Sequence, residues 1–356
     1  MEPSLSSSSF AYETLVEKAY HDSTKSSPLS VSNSSYGHLN QAKHITMLTR
    51  PQLKSALSKA WEAISIAHLI TESNIKSYVQ PVALFAILSV ASGRVTTNPN
   101  PTWADLITIA PRATLYVWLF VFYADCSNQK DPSSVEEDRL NKPWRAIPSG
   151  RLTIEGAEKF YIASIILLLL SSGLWLGGFP EAVIFLVEIY VHDYASGNIS
   201  WWSKNAINIL FYLTAQIGAT RVAAESLTSN SMSRAGYEWC ALLGLQTFTT
   251  IQIQDLRDQE GDSIRGRRTM PIAIGDVTTR WITAFFITFW SIACPTYWEM
   301  EITAGHVLPL LIGGAVSAHV LLFRTPKSDR FSFHYYTLLW LPSLYAIPLL
   351  SQYKLI

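Results

Sequence analysis

Residues 157–178 read AEKFYIASIILLLLSSGLWLGG, and this stretch decides the class of fold. Its only charged residues, Glu158 and Lys159, stand at its beginning. The hydrocarbon core of a bilayer is ~30 Å thick, and a helix needs ~20 mostly apolar residues to cross it. The stretch therefore predicts a transmembrane helix.

Apolar runs of this kind recur along the chain. The predicted spans are 78–95, 106–124, 157–178, 180–192, 205–224, 236–254, 278–297, 304–323 and 331–351. Only 15% of the residues are charged, whereas a soluble domain has roughly 25%. The stretch from Leu57 to Ile70 has one apolar face and predicts an interfacial helix before the first span. We expect an all-α integral membrane protein with about nine transmembrane helices.

The beginning of the chain has a different composition. Residues 1–45 are rich in serine and lack a packed apolar pattern, which predicts a disordered cytosolic tail. No apolar segment near Met1 resembles a cleaved signal peptide. We therefore expect a tail over 1–45 and a membrane domain over 57–356. The net charge is zero, so no basic field indicates a nucleic-acid partner.

Lysine and arginine residues predict the orientation of the spans. They concentrate in the loops that follow spans two, six and eight, whereas loops after odd-numbered spans have few. Loops with an excess of positive charge face the cytosol. The pattern predicts a cytosolic N-terminus, and the absence of a transit peptide is consistent with insertion into the endoplasmic reticulum.

The loop after span six is too polar to be a simple connector. Asp255, Asp258 and Asp262 are three and four residues apart, so a continuing helix would place them on one face. Carboxylates at this density suit Mg²⁺, which takes the rest of its shell from water and substrate phosphate. Four arginines could donate to phosphate oxygens: Arg257, Arg265, Arg267 and Arg268. The alternative is a solvated helix end with compensating ion pairs.

The loop after span two repeats this combination of charges. Glu136, Glu137 and Asp138 precede the run Asn141-Lys142-Pro143-Trp144-Arg145. Both loops follow even-numbered spans, and four spans separate them, as in an internal duplication. We therefore expect the two acidic loops to lie on one side of the membrane and to meet.

Two motifs resemble those of the UbiA superfamily of intramembrane prenyltransferases. The first is Asn141-Lys-Pro-Trp-Arg145-Ala-Ile-Pro-Ser-Gly150, and the second is Asp255-x-x-Asp258-x-x-Gly261-Asp262-x-x-x-Gly266-Arg267-Arg268-Thr-Met-Pro271. The resemblance extends over roughly residues 60–356. It implies a helical bundle around a central cavity, in which Mg²⁺ and the diphosphate of a prenyl donor bind between the two loops.

The resemblance also implies roles for single residues. The expected Mg²⁺ ligands are Asn128, Glu137, Asp138, Asp255, Asp258 and Asp262, of which Asp138 and the three later aspartates are also the expected catalytic residues. The expected diphosphate-binding residues are Lys142, Arg145, Arg257, Arg265 and Arg268. The first motif departs from the family pattern Asn-x-x-x-Asp-x-x-x-Asp. Asp138 matches the last Asp, but Lys130 and Ser134 occupy the positions of the Asn and the first Asp. Asn128 is the substitute that we expect, and Asp125 is a further candidate.

By the same resemblance, loss of the diphosphate leaves an allylic cation on the prenyl chain. Two fates of this cation remain open. The divergent first motif is similar to that of fungal UbiA-type terpene cyclases, which favours cyclisation of a C15 or C20 diphosphate in secondary metabolism. The alternative is prenyl transfer to an aromatic or other small acceptor, and a distant alternative is a non-enzymatic transporter. His192 and Asp193 are candidate proton acceptors or ordinary interfacial residues. The expected partners are the diphosphate substrate and the lipid bilayer, with no obligate protein partner.

Overall fold

The computed structural model describes residues 50–194, 200–227, 230–300 and 304–352. The predicted Ser-rich tail lies outside these residues. Residues Lys54–Ile356 form one compact unit. Apart from two isolated β-bridges, the regular structure of the described part is helical, as predicted from the apolar runs.

The helices follow one another with short connections. They are α1 Arg50–Asn74, α2 Gln80–Ser92, α3 Trp103–Gln129, α4 Pro132–Asn141, α5 Ile154–Ser171, α6 Phe179–Tyr194, α7 Trp201–Glu225, α8 Arg234–Thr250, α9 Gln259–Ile264, α10 Met270–Ile274, α11 Asp276–Tyr297, α12 Ala304–Leu322, α13 Pro326–Tyr335, α14 Leu341–Tyr345 and α15 Ile347–Leu350. π-Helical turns extend three of them, at Ile75–Val79, Ser172–Leu176 and Tyr336–Trp340.

Five helical stretches in the described residues are long and apolar enough to cross a membrane. They are Gln52–Ser92, Trp103–Gln129, Ile154–Leu176, Asp276–Tyr297 and Gly305–Leu322. These stretches correspond to predicted spans one, two, three, seven and eight. The predicted count of nine is not confirmed. The helix α6 has only 16 residues, and α7 and α8 bury polar side chains such as Gln216 and Gln246, which lower their hydropathy.

The first helix differs from the prediction. The segment expected to lie at the interface continues through a π-helical turn into the first span, and Gln52–Ser92 comprises 41 residues. At 1.5 Å per residue it is about 60 Å long, which is twice the thickness of a bilayer core. Trp61 and Leu57 are exposed on its N-terminal part, which accounts for the apolar face seen in the sequence.

A buried charge cluster ties the C-terminal helices together. We call Asp276, Arg280 and Asp329 the Arg280 cluster. The Arg280 guanidinium donates to both carboxylate oxygens of Asp329 at 2.6 and 2.7 Å, to Asp276 at 2.8 Å and to the carbonyl oxygen of Val320 at 2.9 Å. Gln259 donates to the other oxygen of Asp276 at 2.9 Å. The cluster thereby fixes α11, α12, α13 and the start of α9.

Candidate functional site

The two acidic loops meet, as the sequence predicted. Arg265 Nη1 of the second loop donates to Glu137 Oε2 of the first loop at 2.9 Å, and Arg267 Nη1 lies 3.4 Å from the same oxygen. A side chain at Gly261 would collide with the amide of Asn141, so glycine allows the close approach of α9 to the end of α4. The stretches are more than 100 residues apart in the chain, and the fold joins them through these contacts.

The second loop does not continue the preceding helix. The helix α8 ends at Thr250, a 3₁₀ turn covers Ile251–Gln254, and a new helix begins at Gln259. Asp255, Asp258 and Asp262 nevertheless all line one cavity. A break in the helix brings them together, because a turn can direct several carboxylates inward without stacking them along a single helix face.

In the first loop, Arg145 holds two buried carboxylates. Its Nη1 donates to both oxygens of Asp138, at 2.7 and 3.0 Å, and its Nη2 lies 3.6 Å from Asp125 Oδ1. Asn74 Nδ2, from α1, donates to that Asp125 oxygen at 2.7 Å. Asp125, Asp138 and Arg145 are each at most 3% exposed. Burial of a charge is costly unless it is paired, so the two buried carboxylates require the Arg145 guanidinium as their partner.

In the second loop, each aspartate also has a basic neighbour. Lys204 Nζ from α7 lies 2.5 Å from Asp255 Oδ1, Arg257 Nε lies 3.1 Å from Asp258 Oδ2, and Arg267 Nη1 lies 3.3 Å from Asp262 Oδ1. Burial raises the pKa of Asp255 to about 6, and the Lys204 ammonium opposes this shift. The Arg257 guanidinium also stacks on the Phe333 ring, 4.5 Å from its centroid.

These side chains surround a cavity that opens to solvent. Its charged entrance, which we call the mouth, consists of Asp125, Asn128, Glu137, Asp138, Lys142, Arg145, Lys204, Asp255, Arg257, Asp258, Asp262 and Arg267. The other wall, which we call the chamber, contains Tyr78, Val121, Phe185, Ile189, Phe211 and Tyr212. Burial and the neighbouring Arg145 charge together lower the pKa of the Lys142 ammonium to about 8. A strongly charged mouth thus adjoins an aromatic chamber.

Most of the predicted site residues lie in the mouth. Arg265 does not line the cavity but bridges to Glu137, and the side chain of Arg268 is exposed outside the lining. Asn128 lines the cavity and accepts a hydrogen bond from Ser134 Oγ at 2.6 Å. Lys204 and Phe333 were not predicted. Lys204 is the single lysine or arginine in the loop that follows the predicted fourth span. No local signal marked Lys204 or Phe333 as a site residue.

The mouth also has polar atoms that protein groups leave unsatisfied. Asp125 Oδ2, Asp255 Oδ2 and Arg145 Nε are buried and have no hydrogen-bond partner among the described residues. Buried polar groups are normally satisfied, so these atoms indicate space for a ligand. Within the described ranges, no three His, Cys, Asp or Glu side chains already stand close enough to hold a metal ion. Carboxylate and amide oxygens are nevertheless the ligand types that suit Mg²⁺.

Two named relatives align with more than half of this chain. The diterpene cyclase eriG of Hericium erinaceus is 31% identical over 232 residues, which cover 63% of this chain and 71% of that protein. The polyprenyl transferase eriF of the same fungus is 32% identical over 202 residues, which cover 56% of this chain and 66% of that protein. The chain is thus similar to an enzyme of each kind.

A solved structure shares the fold. A UbiA homologue from Archaeoglobus fulgidus, solved with GPP and Mg²⁺ bound, superposes with a TM-score of 0.53 over 79% of this chain and 99% of its own, at 15% identity. The UbiA prenyltransferase family matches residues 81–341, which is more than half of the chain. The protein therefore belongs to the UbiA prenyltransferase family and is an enzyme of the prenyltransferase or terpene cyclase type.

Proposed function

We propose that this protein is a Mg²⁺-dependent membrane enzyme that ionises a C15 or C20 prenyl diphosphate and cyclises the hydrocarbon chain to a terpene. The observation that carries this proposal is the junction of the charged mouth with the aromatic chamber. A prenyl diphosphate has the same division, with a polyanionic head and an apolar tail. We propose that the mouth faces the cytosol and that the enzyme resides in the endoplasmic reticulum membrane.

The mouth supplies ligands for both parts of a metal–diphosphate head. Asp255, Asp258 and Asp262, with Asn128, Glu137 and Asp138, are the residues that would hold Mg²⁺. Bound Mg²⁺ would neutralise negative charge on the diphosphate oxygens. The unsatisfied oxygens of Asp125 and Asp255 support this assignment, since both are buried in the lining, and they add Asp125 to the candidate ligands.

The basic residues of the mouth are poised to exchange partners. In the structure, Arg145, Lys204, Arg257 and Arg267 pair with the carboxylates. When substrate and metal bind, the carboxylates can turn to the cation while the basic side chains turn to phosphate oxygens. Lys142, Arg145 and Arg257 line the cavity and would grip the diphosphate, and Arg265 would position Glu137. Their positive charge stabilises the negative charge that develops on the leaving group.

The chamber provides an environment for the allylic cation that remains. The rings of Tyr78 and Tyr212 stand with their centroids 4.8 Å apart, and those of Phe185 and Phe211 stand 5.7 Å apart. Aromatic faces attract cations through their quadrupole. An apolar wall also excludes water, which would otherwise trap the cation as an alcohol.

Cyclisation is favoured because one chamber can serve both as the tail-binding site and as the template for folding the tail. The similarity to a diterpene cyclase over 232 residues supports the same choice. Prenyl transfer to an aromatic or other small acceptor is the second candidate, supported by the similarity to a polyprenyl transferase over 202 residues.

Product analysis separates the two candidates. The full chain, in membranes or detergent, is incubated with Mg²⁺ and C10, C15 or C20 diphosphate, with no acceptor added. A cyclase releases diphosphate and forms a cyclic hydrocarbon from the C15 or C20 substrate. Release that requires an added acceptor would favour the transferase. Absence of release under every condition would contradict both enzymatic functions.

A further inference from the structure

His192 and Asp193 form a polar pair beside the apolar wall of the cavity. Phe185, Ile189 and His192 are spaced four and three residues apart on α6 and therefore lie on one helical face. All three line the cavity, and so does Asp193. The face passes from Phe185, which is 2% exposed, to His192, whose side chain is 18% exposed. His192 thus stands where the buried chamber begins to open.

Hydrogen bonds fix the orientation of this imidazole. His192 Nδ1 lies 2.7 Å from Asp193 Oδ1, and Ser127 Oγ on α3 donates to Asp193 Oδ2 at 2.6 Å. Because a carboxylate can only accept, Nδ1 is the nitrogen that carries the proton in the neutral tautomer of the imidazole. The lone pair then resides on Nε2. This is the arrangement in which a carboxylate orients a histidine that acts as a base.

The imidazole also stands beside the residues that would hold a cation. Its ring centroid lies 5.5 Å from that of Phe211, which in turn lies 5.7 Å from Phe185. Each carboxylate in the described part of the mouth lies beside a lysine or arginine. Within the lining that the structure describes, His192 is the only imidazole.

We propose that His192, oriented by Asp193, is the base that removes the last proton from the cyclised cation. A C–H bond next to the cationic carbon breaks, and its electron pair becomes the new carbon–carbon π bond. The proton goes to His192 Nε2, and Asp193 stabilises the imidazolium. The imidazolium later returns the proton to solvent. The sum is one prenyl diphosphate converted to one hydrocarbon, one diphosphate and one proton.

This proposal rests on the proposed cyclase function, and the released diphosphate is the competing proton acceptor. The two acceptors can be separated, because the site of deprotonation decides which double bond forms. A base held in the wall by α6 and Ser127 selects one C–H bond. A diphosphate in the mouth reaches carbons near the former head of the substrate.

The test compares H192Q and D193N with the full-length wild type. H192Q removes the proton-accepting lone pair, whereas D193N keeps the size of the side chain but removes the charge that stabilises the imidazolium. The matched control is H68Q, the same substitution at an exposed histidine of α1. Diphosphate release and the hydrocarbon profile are measured in the same reactions with C15 and C20 substrates.

For H192Q we expect the amount of main hydrocarbon per diphosphate released to fall about 100-fold or more. Isomeric olefins or alcohols should take its place, and D193N should give a weaker form of the same change. An unchanged profile in H192Q would overturn the assignment of the base and leave the cyclase standing. Equal loss of diphosphate release and hydrocarbon would place His192 in ionisation and also overturn it. If the wild type itself forms no hydrocarbon, the cyclase function fails together with the base.

Discussion

The Arg280 cluster and the mouth are both buried sets of opposite charges, but they differ in how completely they are satisfied. All three guanidinium nitrogens of Arg280 donate, and both oxygens of Asp276 and of Asp329 accept. In the mouth, Asp125 Oδ2, Asp255 Oδ2 and Arg145 Nε have no partner in the described part of the chain. The two sets lie on adjacent elements, since Gln259 of α9 bonds to Asp276.

This difference separates a structural charge cluster from a binding site. A fully paired cluster contributes a fixed geometry, because any movement would leave a charge buried and alone. An incompletely paired site retains the desolvation cost of its free atoms until a ligand arrives. The comparison predicts that substitutions in the Arg280 cluster damage folding, whereas substitutions in the mouth damage catalysis.

The largest effect is expected for Asp255→Asn. Its carboxylate has one oxygen on Lys204 and one without a partner, so the substitution removes a ligand charge with little change in packing. We expect kcat/KM to fall about 10³-fold, with a smaller loss of stability than a substitution in the Arg280 cluster, because the Lys204 side chain is 13% exposed whereas that of Arg280 is 2% exposed. Steady-state diphosphate release and a thermal melt measure the two quantities. A large loss of stability with intact activity would place Asp255 in the structural class.

The next effect is expected for Asp329→Asn, which is the counterpart substitution in the Arg280 cluster. It leaves the Arg280 guanidinium buried without its bidentate partner. The loss of one partner from a buried pair costs about 3–5 kcal/mol of unfolding free energy. Denaturation of the purified protein should show this loss, while kcat/KM per folded enzyme stays within about threefold. A specific loss of activity at full stability would contradict the division.

A pH profile tests the role of Lys142 in the mouth. Because the pKa of Lys142 is lowered to about 8, its ammonium is charged below pH 8 and neutral above it. We expect kcat/KM to fall as pH rises through 8, by about tenfold for each further unit, since only the cation grips diphosphate. Lys142→Arg should remove this alkaline limb, because arginine stays charged. A limb that persists in the arginine variant would belong to another group.

The smallest effect concerns the ring under Arg257. Phe333→Leu removes the aromatic face 4.5 Å from the guanidinium and keeps an apolar side chain in place. A cation–π contact contributes about 0.5–1 kcal/mol, so KM for the prenyl diphosphate should rise about two- to fivefold. Phe333→Tyr is the matched control and should keep the wild-type KM. Equal KM values for the leucine and tyrosine variants would show that the ring only fills space.

Much of this site could be predicted because its signals are local in sequence. The apolar run of 157–178 and the Asp255-x-x-Asp258 spacing each identify an element from neighbouring residues. The charges that balance them come from elsewhere. Lys204 reaches Asp255 from α7, and Asn74 reaches Asp125 from α1. Such pairs depend on helix packing, which a single polar residue in a long helix does not reveal.

The remaining differences have equally specific causes. A continuing helix would have placed Asp255, Asp258 and Asp262 on one face, but a 3₁₀ turn and a new helix achieve the same convergence. The predicted count of nine spans is not confirmed, because α7 and α8 bury amides that weaken their hydropathy. In both cases, the packing of helices that are distant in sequence determines a feature that the local sequence pattern does not specify.

The role of the mouth in binding a metal–diphosphate head is tested most directly with a non-reactive prenyl thiodiphosphate, whose binding is measured by calorimetry with and without Mg²⁺. We expect the wild type to bind tightly only when Mg²⁺ is present. This binding should be lost in Asp255→Asn and retained in Asp329→Asn. Equal affinity with and without the metal, or full affinity in Asp255→Asn, would contradict the claim that the incompletely paired carboxylates of the mouth hold a metal-bound diphosphate.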